Sequence, residues 1–222
     1  MLATGHRYGS NVVHKICLGS TVIYQMPPIE FTVEGTSFEP WMALHDGAST
    51  DVAWIDDATE AVLSTSLTPT LTFPDSTPRV IRLEVGSPSA ISMLNLGYHD
   101  GQDTGPVSIP DTYNHPTQPV TAIANLQYLS GLAWFMAART NGLSADYTLY
   151  TGPVLGGFLS FSGLRQLEHV ECFRAEIQSA TLAGCAALVR LCFEGCQVTA
   201  LDLNPVRRTL DDLRAAIQQG GA

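Results

Sequence analysis

Charged residues are scarce in this chain of 222 residues: they make up 14% of it, and Lys and Arg together number only 11. Soluble domains usually carry roughly 25% charged residues. With a formal net charge of −10, the chain lacks the basic patch that phosphate contacts require, so we expect no nucleic-acid partner. Two interpretations of the low charge stay open: partners cover much of the surface, or uncharged Ser and Thr make it polar.

Long apolar runs are also missing. No segment approaches the roughly 18 apolar residues that a membrane-spanning helix needs, and the N-terminal MLATGHRYGSNVVHKICLGS lacks the apolar core of a signal peptide. We therefore expect a soluble chain that is not exported by the usual route and has no membrane partner. The five cysteines are an odd number, and in an unexported chain we expect reduced thiols rather than a disulfide framework.

Residues 1–28 are predicted to form an N-terminal β-hairpin that serves in assembly. Two short strands, at 12–18 and 21–24, flank the turn Gly19-Ser20, and the proline pair in MPPIE marks the boundary. Because a lone hairpin is only marginally stable, it must pair with the rest of the chain or with another subunit. The candidate interface residues of this segment are Ile16, Leu18, Val22 and Tyr24.

Residues 29–86 alternate β-branched and aromatic residues with turn signals. The strand-like phrases are IEFTVEG, DVAWID, AVLSTS, TLTFPDS and RVIRLEV. About five short strands at this spacing predict a small antiparallel sandwich of the immunoglobulin-like type.

Residues 89–222 contain an internal repeat. Residues 167–177 read LEHVECFRAEI and residues 188–198 read LVRLCFEGCQV, 21 residues further on. Both fit the leucine-rich-repeat template L-x-x-L-x-L-x-x-N/C-x-L. Weaker copies are predicted upstream, at Ile91, Leu94 and Leu96 and at Leu129, Leu132, Trp134 and Ala137. The sequence therefore predicts a short leucine-rich-repeat solenoid.

The chain closes with TLDDLRAAIQQGGA, in which Thr209 is a candidate N-cap of an amphipathic helix. Such a helix would cap the open end of the solenoid, which otherwise exposes apolar side chains. The predicted fold class is thus mostly β with some α: a small Ig-like β-sandwich, then a short solenoid capped by a C-terminal helix.

Residues 46–85 resemble a PKD-type immunoglobulin-like module. Trp54, the phrase Thr65-Ser66-Leu67-Thr68-Pro69 followed by Phe73, and the ending Val80-Ile81-Arg82-Leu83-Glu84-Val85 match that family's pattern in order. The resemblance implies a β-sandwich that works as a structural or binding module.

The phrase KICLGSTVIY, residues 15–24, resembles an opening common in bacteriophage virion proteins. Its combination with a PKD-like module and a short repeat segment ending in LDLNPVRRTLDDLRAA is similar to phage minor structural proteins. This resemblance implies a capsid decoration, connector or tail component located in the virion and assembled in the bacterial host cytoplasm. Its partners would be other virion proteins, and we expect a homo-oligomer in the particle.

The four cysteines of the last third, Cys172, Cys185, Cys192 and Cys196, could be taken for a thiolate metal set. However, Cys172 and Cys196 fall on inward template positions, Cys185 follows a glycine at a turn, and Cys192 should point outward. Thiols that face different ways cannot close a tetrahedron, so we expect no metal site.

Carboxylates are the other candidate ligands and catalysts. The loop residues Asp100 and Asp103 lack the further ligands of an EF-hand, and Asp56, Asp57 and Glu60 are predicted to form a solvated turn. A hydrolase would need paired carboxylates, for which the repeats offer Glu168, Glu171, Glu194 and Asp202. Since no nucleophile elbow, P-loop or dinucleotide fingerprint is present, we expect a non-enzymatic protein without a cofactor.

Trp134 and Phe135 complete the candidate interface, because neighbouring residues of a strand point to opposite faces and one of the two must face outward. The leading hypothesis is a virion structural protein that acts through protein–protein assembly. The alternative is a carbohydrate- or receptor-binding adhesin on a phage tail or cell surface, with a host-surface glycan or receptor as its partner.

Overall fold

The computed structural model describes residues 26–97, 115–139 and 152–203 with their side chains, and the backbone of four short strands before residue 26. Within these ranges the chain is mostly β, which confirms the coarse prediction. Helical structure in the same ranges is limited to 3-10 turns at Pro88–Ala90 and Leu126–Tyr128. The predicted C-terminal helix and the loop with Asp100 and Asp103 lie outside the described residues.

The N-terminal strands form two hairpins. Strands β1 (Arg7–Tyr8) and β2 (Asn11–Val12) pair antiparallel, as do β3 (Lys15–Leu18) and β4 (Thr21–Gln25). In the second hairpin Ile16 lies opposite Tyr24, and the register shifts between Ile16 and Cys17. Among the described strands, β3 and β4 pair only with each other.

One antiparallel sheet contains five strands: β5 (Ile29–Val33), β8 (Val52–Asp56), β9 (Ala61–Ser64), β11 (Arg79–Val85) and β13 (Val120–Ala124). Their order in the sheet is β13-β5-β11-β8-β9. Alternate residues of β5 are buried, as expected of a strand with one face on the core. Phe31, Phe38 and Trp54 meet there with ring centroids 5.5–5.7 Å apart.

A second sheet also contains five strands: β7 (Trp41–Leu44), β12 (Ile91–Asn95), β14 (Trp134–Met136), β16 (His169–Glu171) and β18 (Arg190–Cys192). Their order in the sheet is β18-β16-β14-β12-β7. Strands β12, β14, β16 and β18 are parallel, and β7 joins β12 antiparallel.

A third sheet is parallel and has the order β15-β17-β19, with β15 (Gly156–Ser160), β17 (Glu176–Thr181) and β19 (Ala200–Asp202). Its register pairs Ala180 with Leu201, and that of the second sheet pairs Val170 with Leu191. In each of these pairs the two residues are 21 positions apart in the sequence, which is the period of the sequence repeat.

The upstream copy at Leu129, Leu132, Trp134 and Ala137 is misaligned in the sequence-based prediction. The sheet register places Trp134 beside His169 and Phe135 beside Val170, so Phe135 occupies the inward position that the prediction gave to Leu132. The pattern is therefore L-x-x-F-x-A from Leu132, three residues later than expected. The register of Leu94 against Phe135 agrees with the copy that begins at Ile91.

Strands from residues 29–86 and from residues 89–222 share sheets. Strand β7 pairs with β12, and β13 pairs with β5. A short pair, β6 (Ser37–Phe38) with β10 (Leu71–Thr72), packs beside them. One hydrophobic cluster extends from Phe31 through Phe135 to Ile177. Strands on both sides of residues 87–88 thus share two sheets and one hydrophobic cluster.

The same turn recurs along the parallel sheets. The backbone N–H groups of Leu164, Ala175, Cys185 and Cys196 each donate to the carbonyl oxygen three residues earlier. The third residue of each turn has a positive φ, and these residues are Gly163, Arg174, Gly184 and Gly195. Because glycine adopts this left-handed region without a Cβ penalty, it occupies three of the four positions.

Candidate assembly interface

The structure separates the two aromatic interface candidates of β14. Phe135 is fully buried and packs edge-on against Phe161, with ring centroids 5.2 Å apart. Trp134 lies on the opposite face of the sheet, half-buried, and its ring stacks on that of His169 at 3.8 Å. Phe135 therefore belongs to the core of this chain, and of the two only Trp134 has a partly accessible surface. The side chains of Ile16, Leu18, Val22 and Tyr24 lie outside the described residues.

The face of the second sheet that carries Trp134 also holds a small apolar cluster and an ion pair. Met93 and Met136 are buried there against Trp41 and Trp134. Glu171 and Arg190 are 1% and 7% exposed, and the guanidinium Nε of Arg190 donates to Glu171 Oε2 at 3.1 Å. Because both groups are buried, removal of either one would leave the other without its partner in the interior.

The four described thiols in the last third of the chain are protonated at neutral pH. Burial raises the pKa of Cys185 and of Cys196 to about 11 and that of Cys192 to about 12. Burial also raises the pKa of Cys172 well above its ordinary value. Because thiolates are the nucleophilic and metal-binding form, these groups are poorly suited to either chemistry. Over the described ranges, no group of three His, Cys, Asp or Glu side chains could hold a metal ion.

Two of the thiols connect successive turns of the chain. Cys185 donates to the carbonyl oxygen of Phe161 at 3.1 Å, and Cys196 donates to that of Cys172 at 2.6 Å. Both bonds span 24 residues. A protonated thiol is required to donate, so the raised pKa values fit this structural role.

The carboxylates considered for a hydrolase differ in their surroundings. Glu171 is engaged with Arg190, whereas Glu168, Glu194 and Asp202 are exposed. Asp202 accepts a hydrogen bond from the Thr181 hydroxyl at 3.4 Å.

The acidic turn between β8 and β9 is highly organised. Asp56 Oδ1 accepts hydrogen bonds from the backbone N–H groups of Ala58 and Thr59, both at 3.0 Å. Arg82, on β11, forms ion pairs with Asp57 and Glu60. Glu60 adopts a left-handed φ of 58° and leads directly into β9. The three acidic side chains therefore fix the start of β9.

Strand β9 is an edge strand with exposed apolar side chains. In the order of the antiparallel sheet it comes last, and β8 is its one partner among the described strands. Val62 is 60% exposed and Leu63 is 38% exposed. The register with β8 shifts by one residue between the pairs Ile55–Val62 and Trp54–Ser64, so β9 bulges at Leu63. The sequence predicted a strand at AVLSTS, but strand order depends on pairing between distant residues, so its place at the edge was missed.

Exposed apolar side chains also occur on the parallel sheets. Phe158 in β15, Val189 before β18 and Leu201 in β19 are 58%, 43% and 39% exposed. Phe158 borders a groove of about 610 Å³ that also contains Arg139 and Glu176, whose charged groups lie 3.7 Å apart. Single exposed apolar residues are normal, whereas β9 combines two of them with an open strand edge.

No family model, curated protein or solved structure shows a significant match to this chain. None of the helical segments in the described ranges is long and apolar enough to cross a membrane. The functional interpretation therefore depends on the geometry described above and on the sequence patterns.

Proposed function

We propose that this chain is a non-enzymatic structural component of a bacteriophage virion that acts through protein–protein assembly. The observation that carries the proposal is β9, which lies at the edge of its described sheet and presents Val62 and Leu63 to solvent. Open strand edges are sites at which another chain adds by main-chain hydrogen bonding. The phage-like opening of residues 15–24 supplies the virion setting.

The finer architecture forms part of this proposal. Residues 29–86 would supply a PKD-like sandwich, and the two parallel ladders would be coils of a leucine-rich-repeat-like solenoid. The 21-residue register, the repeated left-handed turns and the Cys196 bond to Cys172 support the solenoid. In this arrangement Cys196 takes the template position that Asn or Cys occupies in such repeats.

Particle composition tests the proposal. Particles of the virus that encodes the chain would be purified through two successive density gradients, washed at high salt and analysed by mass spectrometry. The chain is expected to stay with the particles through both gradients, as a capsid or tail protein does. Its removal by the salt wash, or its recovery only in the soluble fraction of the lysate, would contradict a structural role.

A carbohydrate-binding adhesin is the second candidate, and Trp134 is the observation that favours it. One face of its ring stacks on His169 while the side chain stays partly accessible, and aromatic faces are common contacts for ligands and partners. A glycan-array signal that is lost in Trp134→Ala but kept in Phe158→Ala would support this function. Equal glycan-array signals from both variants would contradict a carbohydrate-binding role for Trp134.

A further inference from the structure

The apolar positions of the repeat lose their burial in the last repeat, residues 188–203. In the third sheet Leu159, Ala180 and Leu201 form one row of the register, and their exposed fractions are 0%, 3% and 39%. Strands β18 and β19 come last in the order of their described sheets. The parallel ladders therefore end in an open apolar surface, which we call the end surface. Its other residues are half-buried, whereas those 21 positions earlier are all buried: Leu191, Phe193, Cys196, Val198 and Leu203.

A further repeat is not suited to cover the end surface. Twenty-one positions after Leu191 and Phe193 the sequence has Asp212 and Arg214. A further repeat would therefore direct a carboxylate and a guanidinium into rows that are otherwise apolar, and charges in an apolar interior are costly. The repeat thus ends with residue 203, and a different structure must cover the end surface.

Residues 204–222, which lie outside the described residues, have the spacing of an amphipathic helix. Leu210, Leu213 and Ile217 recur at intervals of three and four, so they share one face of a helix. A helix is about 10–12 Å across, which matches the separation of about 10 Å between packed sheets. The five residues 204–208 span up to about 17 Å when extended. That length brings such a helix from β19 over the end surface.

Charge favours this segment over a second copy of the chain. The last repeat exposes the carboxylates of Glu194 and Asp202, and the segment carries Arg207, Arg208 and Arg214. Opposite charges attract each other at these short distances. Two whole copies repel each other instead, since each has a formal net charge of −10. The segment that follows the last repeat is therefore the better match to the end surface.

We propose that residues 204–222 form a helical cap on the end surface, with Leu210, Leu213 and Ile217 packed on the last repeat. The cap covers the apolar row that ends at Leu201. It also prevents other chains from adding to β18 and β19, which would otherwise be open strand edges. Assembly is thereby directed to other surfaces of the molecule, among them β9. Such a cap is independent of the virion role and would serve an adhesin equally.

Thiol modification of the full chain tests the cap, because Cys196 lies on the end surface and Cys185 is fully buried one repeat earlier. Dilute protein would be treated with N-ethylmaleimide, and the modified residues would be identified by mass spectrometry of peptides. Leu213→Asp should raise the rate of Cys196 modification by at least about tenfold, since a carboxylate opposes docking on an apolar surface and an accessible thiol reacts faster. Cys185 should stay unreactive.

Ala215→Asp is the matched control. It adds the same charge two residues away, on the opposite side of a helix with 3.6 residues per turn, so Cys196 should react as in the wild type. Equal rates in Leu213→Asp and the wild type, or an equal rise in both variants, would overturn the cap. Wild-type protection of Cys196 that falls on dilution would show that a second copy covers the end surface, which would also overturn it.

The blocking of β18 and β19 is measured by sedimentation velocity. With the cap displaced, Leu213→Asp should form larger species than the wild type at the same concentration, and Ala215→Asp should not. A Leu213→Asp chain with reactive Cys196 and wild-type size would overturn the blocking role. If far-ultraviolet circular dichroism shows that Leu213→Asp is not folded, hydrogen exchange of the wild type decides. The amides of residues 209–218 should exchange at least about tenfold more slowly than in an unstructured peptide, and exchange at the peptide's rate would overturn the cap.

Discussion

At the scale of single residues, the recurring turn is the clearest link between sequence and backbone. Gly163, Gly184 and Gly195 take the left-handed position of the turn, and Arg174 takes it once. A left-handed conformation costs residues with a Cβ atom roughly 1–2 kcal/mol. Arg174 therefore carries local strain that its counterpart 21 residues later, Gly195, avoids.

Substitutions at these positions should have unequal effects. A Cβ atom added at Gly163 would meet nothing within 4 Å, so Gly163→Ala should lower the free energy of unfolding by about 1–2 kcal/mol through backbone strain alone. Arg174→Gly should change it by less than about 0.5 kcal/mol, because relief of strain offsets the greater freedom of the unfolded chain. Urea unfolding of both variants checks this, and equal losses would contradict the turn assignment.

The buried thiols predict a loss of stability in alkaline solution. Cys185 and Cys196 titrate near pH 11 in the folded chain and near their ordinary pKa of 9 when unfolded. Between these values the unfolded state binds fewer protons, so the free energy of unfolding should fall from about pH 9 to about pH 11. Urea unfolding across this range measures the slope.

Cys196→Ala is the control for this pH dependence. The variant is less stable at every pH because the bond to Cys172 is lost, yet its stability should fall less steeply between pH 9 and pH 11. An unchanged slope would show that the thiol does not contribute.

At the scale of elements, the turn between β8 and β9 depends on one carboxylate more than on its neighbours. Asp56→Ala removes two backbone hydrogen bonds and should lower the free energy of unfolding by about 1–2 kcal/mol. Asp57→Ala removes a solvent-exposed ion pair with Arg82 and should cost less than about 1 kcal/mol. Chemical denaturation compares the two. A greater loss from Asp57→Ala would contradict this account of the turn.

Elements with a repeated pattern could be predicted from the sequence, and those defined by distant pairing could not. The period of 21 residues was visible because Leu167 and Leu188 begin matching phrases, and the strand register has the same offset. The copy near Trp134 begins three residues later than the sequence predicts, since the phrase YLSGLAWFMAA offers two apolar spacings that fit the template. Only the pairing of Phe135 with Val170 distinguishes them.

The candidate interface shows the same limit. Alternation along β14 predicted that one of Trp134 and Phe135 faces outward, but the stacking of Trp134 on His169 depends on a neighbouring strand 35 residues away. The exposure of Val62 likewise depends on strand order, because the same phrase in a central strand would be buried.

At the scale of the whole molecule, the sheets connect segments that the sequence divides. Strand β7 lies in the segment 29–86 but pairs with β12, and β13 lies in the segment 89–222 but pairs with β5. No local sequence pattern predicts such pairings. Hydrophobic periodicity describes windows of about 11–18 residues, whereas these pairings join strands about 50 and 90 residues apart.

The shared sheets predict cooperative unfolding. Loss of either segment would leave β5 or β12 without one of its two neighbouring strands and expose the cluster around Phe31 and Phe135. Tryptophan fluorescence and far-ultraviolet circular dichroism should therefore report a single coincident transition in urea. Two separated transitions, with Trp54 reporting one and Trp134 the other, would show that the segments are independent domains.

The central claim is that this chain is a structural part of a virion, and a cryo-electron-microscopy map of the particle tests it most directly. The account predicts density for the antiparallel sheet and the parallel ladders at symmetry-related positions, with the β9 edge against another protein chain. A well-resolved particle whose density is fully explained by other proteins would contradict it.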